Sequence, residues 1–371
     1  MRLTSLGRFV LVIAVVGWAA TGLAADKWGL QKGNPELKSA GPLAFGPDGI
    51  LLVGDTKAAT IFAIDTGDSA GEPAKVNVNI EGLKGKVAAA LDSTPQAIAI
   101  NDLAVNPLSG NIYLSISKGG AQGSPAIVRI AATGKLSRMS LENIGYAKVT
   151  LPDAPEDKVV GQGRRSRNRR LESITDLAYT DGKVIVSGLA SGESPSSIRE
   201  ITFPFDEAYQ GTRIEIFHGA HGRLEDSAVA RTFVPFNING EPHLLAGFTC
   251  TPLVKFPIRS LKPGKKIRGT TVAELGNRNR PLDMIVYKQN GKEFLLLTNS
   301  NRGVMKISTE DIERQTGISE RITGGGTAGQ KYETIEKLKG VVQLDRLTDE
   351  RGVIITQTES GSLNLTTITL P

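Results

Sequence analysis

The 371-residue sequence holds a single cysteine, Cys250. No intramolecular disulfide can form, so an apolar core and hydrogen bonds have to hold the chain together, and at this length a core is large enough to do so. Aromatic residues make up only 5% of the chain, which leaves few rings to stack on a planar cofactor. Histidine occurs three times. Beyond residue 25 no apolar run approaches the roughly 20 residues that a membrane-spanning helix needs. Neither sign of charge dominates: 44 basic and 38 acidic residues leave +6, too mild a balance to argue for nucleic acid. A haem-attachment Cys-x-x-Cys-His, a Walker loop and a His-Glu-x-x-His zinc motif are all missing.

What is present begins with a distinct N-terminal segment. Arg2 and Arg8 precede an apolar run over residues 9–16, and Ala19, Ala20, Gly22, Ala24 and Ala25 follow it. This is the three-part pattern of a secretory signal, cleaved after Ala24 or Ala25. It predicts an exported protein, periplasmic or secreted, with no stable membrane span once residues 1–25 are removed. Residues 26–371 are then expected to form one domain.

That domain is built from a unit that recurs six times. The copies are PLAFGPDGILLVGDTKAATIFAI from Pro42, DLAVNPLSGNIYLSISKGGAQGSPAIVRI from Asp102 and DLAYTDGKVIVSGLASGESPSSIREI from Asp176. The remaining three are PFNINGEPHLLAGFTCTPLVKFPI from Pro235, DMIVYKQNGKEFLLLTNSNRGVMKI from Asp283 and DRLTDERGVIITQTESGSLNLTTI from Asp345. Each is an apolar run, a Gly/Asp/Asn turn, a second apolar run, a polar loop and a third run. Period-two runs bounded by turn residues are strands, and repeats of this size mark a propeller or solenoid. The pattern predicts an all-β, six-bladed β-propeller, with a seventh degenerate blade in residues 75–100 or 137–171 as the alternative.

A propeller blade has four strands, so the outermost has to lie between units. Candidates are residues 75–80, 135–141, 212–217, 269–275 and 328–335. The sixth unit ends at Leu370 without room for a fourth strand. A strand borrowed from the N-terminal segment around residues 27–31 is expected to close the ring, because closure removes an open edge. Residues 84–91, with three alanines, read as a short helix between the first two units.

The GPDG turn at residues 46–49, followed by LLVGD and TIFAID, resembles the six-bladed propellers of the NHL and SMP-30/gluconolactonase-like group. The resemblance spans most of residues 42–370 and concerns blade grammar. Binding modules, lactonases and quinone-dependent sugar dehydrogenases share that grammar, so it implies a fold and a ligand face without selecting among activities.

By propeller topology, the connections entering the innermost strands share one face with the loops between second and third strands. Four units place an aspartate at the innermost strand: Asp102, Asp176, Asp283 and Asp345. Pro42 and Pro235 take the position in the other two. Converging carboxylates repel unless a cation, arginines or protons offset them. They can hold Ca²⁺ or Mg²⁺ at the channel mouth, or each can accept backbone N–H groups at its own turn.

The entering loops are cationic. Arg164, Arg165, Arg167, Arg169 and Arg170 precede Asp176, Arg278 and Arg280 precede Asp283, and His218, His221, Arg223 and Arg231 precede Pro235. Guanidinium forks suit carboxylate, sulfate and phosphate, so these arginines, with Asn299 and Asn301 from a second-to-third loop, form a candidate anion-binding rim. A solvated surface run is the competing reading. His218 and His221 in His-x-x-His spacing are candidates for a general base. With Cys250 they are also candidates for a zinc or copper site, against the plainer reading of Cys250 as a small buried hydrophobe.

Three functions follow. The first is an exported propeller binding an anionic small molecule, glycan or protein partner at its basic face. The second is a lactonase-like hydrolase with a divalent metal at the channel mouth. The third is a quinone-dependent dehydrogenase using a histidine as proton acceptor.

Overall fold

A computed structural model describes residues 26–120, 123–163, 166–324 and 326–371. The export signal read in residues 1–25 therefore lies outside the described residues. Six sheets form a six-bladed propeller. The second strand of each blade is its most buried element: ILLVGD at Ile50–Asp55 is buried throughout, as are the central residues of Ile112–Lys118, Lys183–Leu189 and Glu241–Phe248. Strands covered on both faces read as near-continuous apolar runs, which explains their prominence in the sequence. Tight turns join first and second strands. Asp181-Gly182, Asn239-Gly240 and Asn290-Gly291 all take left-handed φ at both positions, the conformation that suits the twist of a two-residue hairpin.

The fourth strands reveal an unusual connectivity. Leu136–Arg138, Thr212–His218, Thr270–Leu275 and Tyr332–Thr334 complete blades two to five, within or overlapping the expected segments. Asn79–Ile80, however, does not complete the first blade: it pairs with Leu363–Thr369 and closes the sixth. The first blade takes Ile144–Thr150 as its fourth strand instead, against Thr60–Asp65. The expected donor around residues 27–31 contributes Gln31–Gly33, but to the outside of the first blade, beside Ile144–Thr150. Closure thus uses a strand from the N-terminal third, though not the one the sequence suggested. The two stretches that could have hidden a seventh blade supply these strands, the helix Leu83–Ala90 and a small ribbon of Val159–Val160 against Arg167–Asn168.

Blade order around the ring consequently differs from chain order. Six apolar clusters fill the six gaps between blades. They join blades three and four, four and five, five and six, then six and two, two and one, and one and three. Leu52 and Ile61 of the first blade pack with Leu177 and Val186 of the third, while Leu114 and Val128 of the second meet Val353 and Leu365 of the sixth. Among the described residues no helix is long and apolar enough to cross a membrane.

The pairing of Asn79 with Thr366 gives a direct check. Their exposed side chains meet at 3.2 Å across 287 residues of chain. A double Asn79→Cys, Thr366→Cys variant is expected to form a disulfide on mild oxidation and to gain several kelvin in Tm, because long loops gain about 3–5 kcal/mol from closure. A double variant that stays reduced under the same oxidant would contradict this connectivity.

Candidate functional site

Innermost strands have no further strand on the channel side, so their channel-facing N–H groups lack a ladder partner and need other acceptors. Three aspartates meet this need. Asp102 accepts from Leu43 N–H of the neighbouring blade at 2.7 Å and from its own Leu103. Asp176 accepts from Leu177 at 2.8 Å and from Phe233 of the fourth blade at 2.7 Å. Asp283 accepts from Met284 at 2.8 Å and from Leu344 of the sixth blade at 2.9 Å. Each carboxylate thereby straddles two blades, and three carboxylates serve all six.

The alternation is specified by register. A shift in strand pairing immediately precedes Asp102, Thr232, Asp283 and Gln343, which identifies these as equivalent positions. With Asp176 and Pro42 they form one layer around the channel, ordered Asp176, Thr232, Asp283, Gln343, Asp102, Pro42. Two expectations from the sequence need correction here. In the fourth unit the equivalent residue is Thr232 rather than Pro235. In the sixth it is Gln343, and Asp345 lies two residues further along its strand, one layer deeper. There Asp345 accepts from Arg346 at 2.6 Å and from Val105 of the second blade at 2.7 Å, tying the sixth blade to the second.

Removal from water raises all four carboxylates above the usual carboxylate range, and repulsion from neighbouring aspartates adds to it at Asp102, Asp176 and Asp283. Asp176 is pushed up to about 7 and Asp345 to about 6. Asp102 and Asp283 lie well above the ordinary value, with burial first and neighbouring aspartates behind it. The backbone N–H bonds oppose the shift without cancelling it. Among the described residues these aspartates do not gather their oxygens into a group that one ion could span; the group that does so is His218, His221 and Cys250.

The upper layer is the floor of a cavity of about 460 Å³. Ser39, Asn101, Ser117 and Thr175 add hydroxyl and amide groups, and Lys57, Glu172, Arg231 and Arg280 stand at the mouth. Arg231 is fixed by Glu172 at 2.8 Å and by Thr249 Oγ1 at 3.1 Å. Arg280 is exposed to the cavity, and among the described residues its guanidinium has no hydrogen-bond or ion-pair partner. Surrounding protein and the nearby Arg231 charge hold its pKa below the usual arginine value, with the Glu172 charge opposing them.

Most of the predicted rim lies elsewhere. Arg164 and Arg165 fall outside the described residues. Arg167 lies 4.0 Å from Glu172, Arg170 donates through Nε to Pro155 O at 2.5 Å, and Arg169 buries its Nε; none of the three lines the cavity. Arg278 and Asn301 lie on a separate open groove, where Asn301 Nδ2 donates to Arg278 O at 2.7 Å. Asn299 is buried, with Nδ2 near Leu297 O and Gly303 O. Among the described residues of the proposed rim, Arg231 and Arg280 line the cavity. Sequence reasoning missed Glu172 and the polar residues Ser39, Asn101 and Gln343, which carry no motif. His218 ends the strand Thr212–His218 of the third blade and His221 lies in the turn after it, and neither lines the cavity, so neither can act as a base there. The string Gly67-Asp68-Ser69-Ala70-Gly71 has nucleophile-elbow spacing but forms a loop after the first blade's third strand. Its Asp68 is captured by Ser109, Asn111 and Tyr113.

No protein-family model matches the sequence, and no curated protein matches it. Among solved structures, the chain is similar to the PQQ-bound aldose sugar dehydrogenase of Streptomyces coelicolor at 12% identity, over 91% of this chain and 96% of that one, with a TM-score of 0.31. It is similar to a candidate oxidoreductase (glucose dehydrogenase) of Thermus thermophilus at 14% identity, over 92% and 100% of the two chains, with a TM-score of 0.34. For a candidate 6-phosphogluconolactonase of Bacteroides uniformis the values are 10%, 88%, 76% and 0.35. The six-bladed architecture rests on the sheet pairing described above.

The raised carboxylates set a pH dependence. An unfolded aspartate titrates near 3.9, whereas Asp176 titrates at about 7 when folded. Between these values the folded protein binds more protons, so this contribution to stability is complete below about pH 4 and is lost as pH rises to about 7. Asparagine cannot titrate. The Tm advantage of wild type over Asp176→Asn should shrink by several kelvin between pH 5 and pH 8; a gap independent of pH would contradict the burial argument.

Proposed function

We propose that the propeller binds a small, hydroxylated, carboxylate-bearing molecule of sugar-acid type in the cavity above the aspartate layer. The observation that carries this reading is Arg280: a guanidinium facing a polar cavity with no partner of its own among the described residues. Arg231, already neutralised by Glu172, offers its remaining N–H groups beside it, and a planar carboxylate suits such forks. The floor is compatible with an anion because its carboxyl groups retain protons near neutral pH. Serine, threonine, asparagine and glutamine side chains supply hydroxyl partners. The volume of about 460 Å³ lies in the range of small-molecule sites, which favours a compact ligand over a glycan chain or a protein loop.

The two enzymatic readings find less support. A metal-dependent hydrolase would need the aspartates clustered around one ion, and a quinone-linked dehydrogenase would need stacking rings and a nearby histidine, whereas the cavity lining includes neither. Export, inferred from residues 1–25, would place the cavity in the periplasm or outside the cell. N-terminal sequencing of the mature protein should then begin at Ala25 or Asp26.

Calorimetric titration with glucuronate and with glucose tests the ligand class. Glucuronate should bind and glucose should not. Arg280→Ala should weaken glucuronate by at least about tenfold, the value of one charge-assisted hydrogen bond, while leaving Tm unchanged because the side chain supports nothing else. Affinity should also fall as pH rises above about 7, where Asp176 in the floor ionises. Equal binding of both sugars, or an Arg280→Ala variant with wild-type affinity, would overturn the proposal.

A further inference from the structure

A second constellation lies off the channel and does not depend on how the cavity is read. His218 ends the outer strand Thr212–His218 of the third blade. The chain then turns sharply, the N–H groups of His221 and Gly222 donating to the His218 carbonyl at 3.1 and 2.8 Å. Arg223–Glu225 returns alongside, pairing Glu225 with Ile216. This hairpin brings one carboxylate against both imidazoles. Glu225 Oε2 lies 2.9 Å from His218 Nδ1, and Oε1 lies 2.7 Å from His221 Nδ1. A carboxylate can only accept, so in the neutral rings both Nδ1 atoms carry the hydrogen and both Nε2 atoms keep a free lone pair. The ring centroids are 3.8 Å apart. His218 is 2% exposed, and its Nε2 is buried without any hydrogen-bond partner, a state that burial normally penalises.

Cys250 meets this pair from the fourth blade. It sits in the loop between that blade's second and third strands, where Cys250 and Thr251 both take left-handed φ, +65° and +63°. Neither is glycine, so the surroundings have to impose the conformation. They do so through Cys250 N–H to Asn279 O at 2.7 Å and Thr251 N–H to Phe248 O at 2.8 Å. His218, His221 and Cys250 place one donor atom each within 4.8 Å of one another.

We propose that His218, His221 and Cys250 bind a single thiolate-accepting transition-metal ion of the zinc or copper class, with Glu225 as the outer carboxylate that orients both imidazoles. Two histidines and one cysteine suit these metals, and a carboxylate on the far ring nitrogen is their usual supporting partner. Ligands about 2.0 Å (N) and 2.3 Å (S) from zinc stand roughly 3.3–3.8 Å apart, so binding closes the site slightly. His221, whose side chain is 43% exposed, has room to make that movement. On binding, the Cys250 thiol loses its proton to solvent and the sulfur donates as thiolate. A fourth tetrahedral position remains for water.

Cobalt(II) added to the chelator-treated full-length mature protein tests this. One cobalt per chain should bind with a thiolate-to-metal charge-transfer band in the near ultraviolet, and one equivalent of zinc should abolish the band. Cys250→Ser should lose the band altogether. Glu225→Gln should keep it with affinity about 10–100-fold weaker, and His221→Ala should bind more weakly still. Should Cys250→Ser fail to fold, His221→Ala carries the test, its exposed side chain leaving the fold intact. Absence of the band in wild type, or wild-type affinity in either ligand variant, would overturn the site.

Discussion

The propeller depends on how its innermost strands satisfy N–H groups that face a channel rather than another strand. Three half-buried aspartates solve this two blades at a time: Asp176 joins the third and fourth, Asp283 the fifth and sixth, and Asp102 the second and first. One layer deeper, Asp345 links the sixth blade to the second. Because a carboxylate offers two oxygens, every second blade can do without one, and Thr232, Gln343 and Pro42 occupy the alternate positions. The apolar clusters between blades supply most of the burial; the aspartates specify how the inner edges meet.

The same arrangement governs the chemistry of the cavity above it. Carboxyl groups hemmed in by protein and facing other aspartates hold their protons to unusually high pH, so a floor that looks acidic in the sequence is far less so in the fold. Arginine at the mouth is then not cancelled by the acids beneath it. Arg231 is tethered to Glu172, and Arg280 is left to meet a ligand. Structure and recognition are thus tied to one set of side chains.

Much of the architecture was legible because the central strands of each blade are buried on both sides and flanked by obligatory turns, which leaves a strong periodic imprint. The helix at Leu83–Ala90 and four of the fourth strands followed from the same pattern. The ring order was not legible. Asn79–Ile80 is a two-residue strand whose partner, Leu363–Thr369, is no more complementary to it in sequence than Thr60–Asp65 would have been. Register failed where the equivalent position carries no aspartate to mark it: Thr232 and Gln343 follow the same pairing shift as Asp102 and Asp283, but Pro235 and Asp345 matched the repeat pattern better. Charge clustering marked the loops that border the mouth without showing which arginine faces it. Arg167 turns to Glu172, Arg169 to the protein interior and Arg170 to Pro155, and tertiary contacts, not composition, decide that outcome.

The central claim is that four aspartates share the channel, desolvated and mutually repelling, while they staple the ring. A pH titration followed through the side-chain carboxyl carbons by NMR measures this directly. The account predicts a midpoint of about 7 for Asp176 and about 6 for Asp345, with Asp102 and Asp283 displaced in the same direction. Four independent midpoints near 4, as for solvated aspartates, would contradict it.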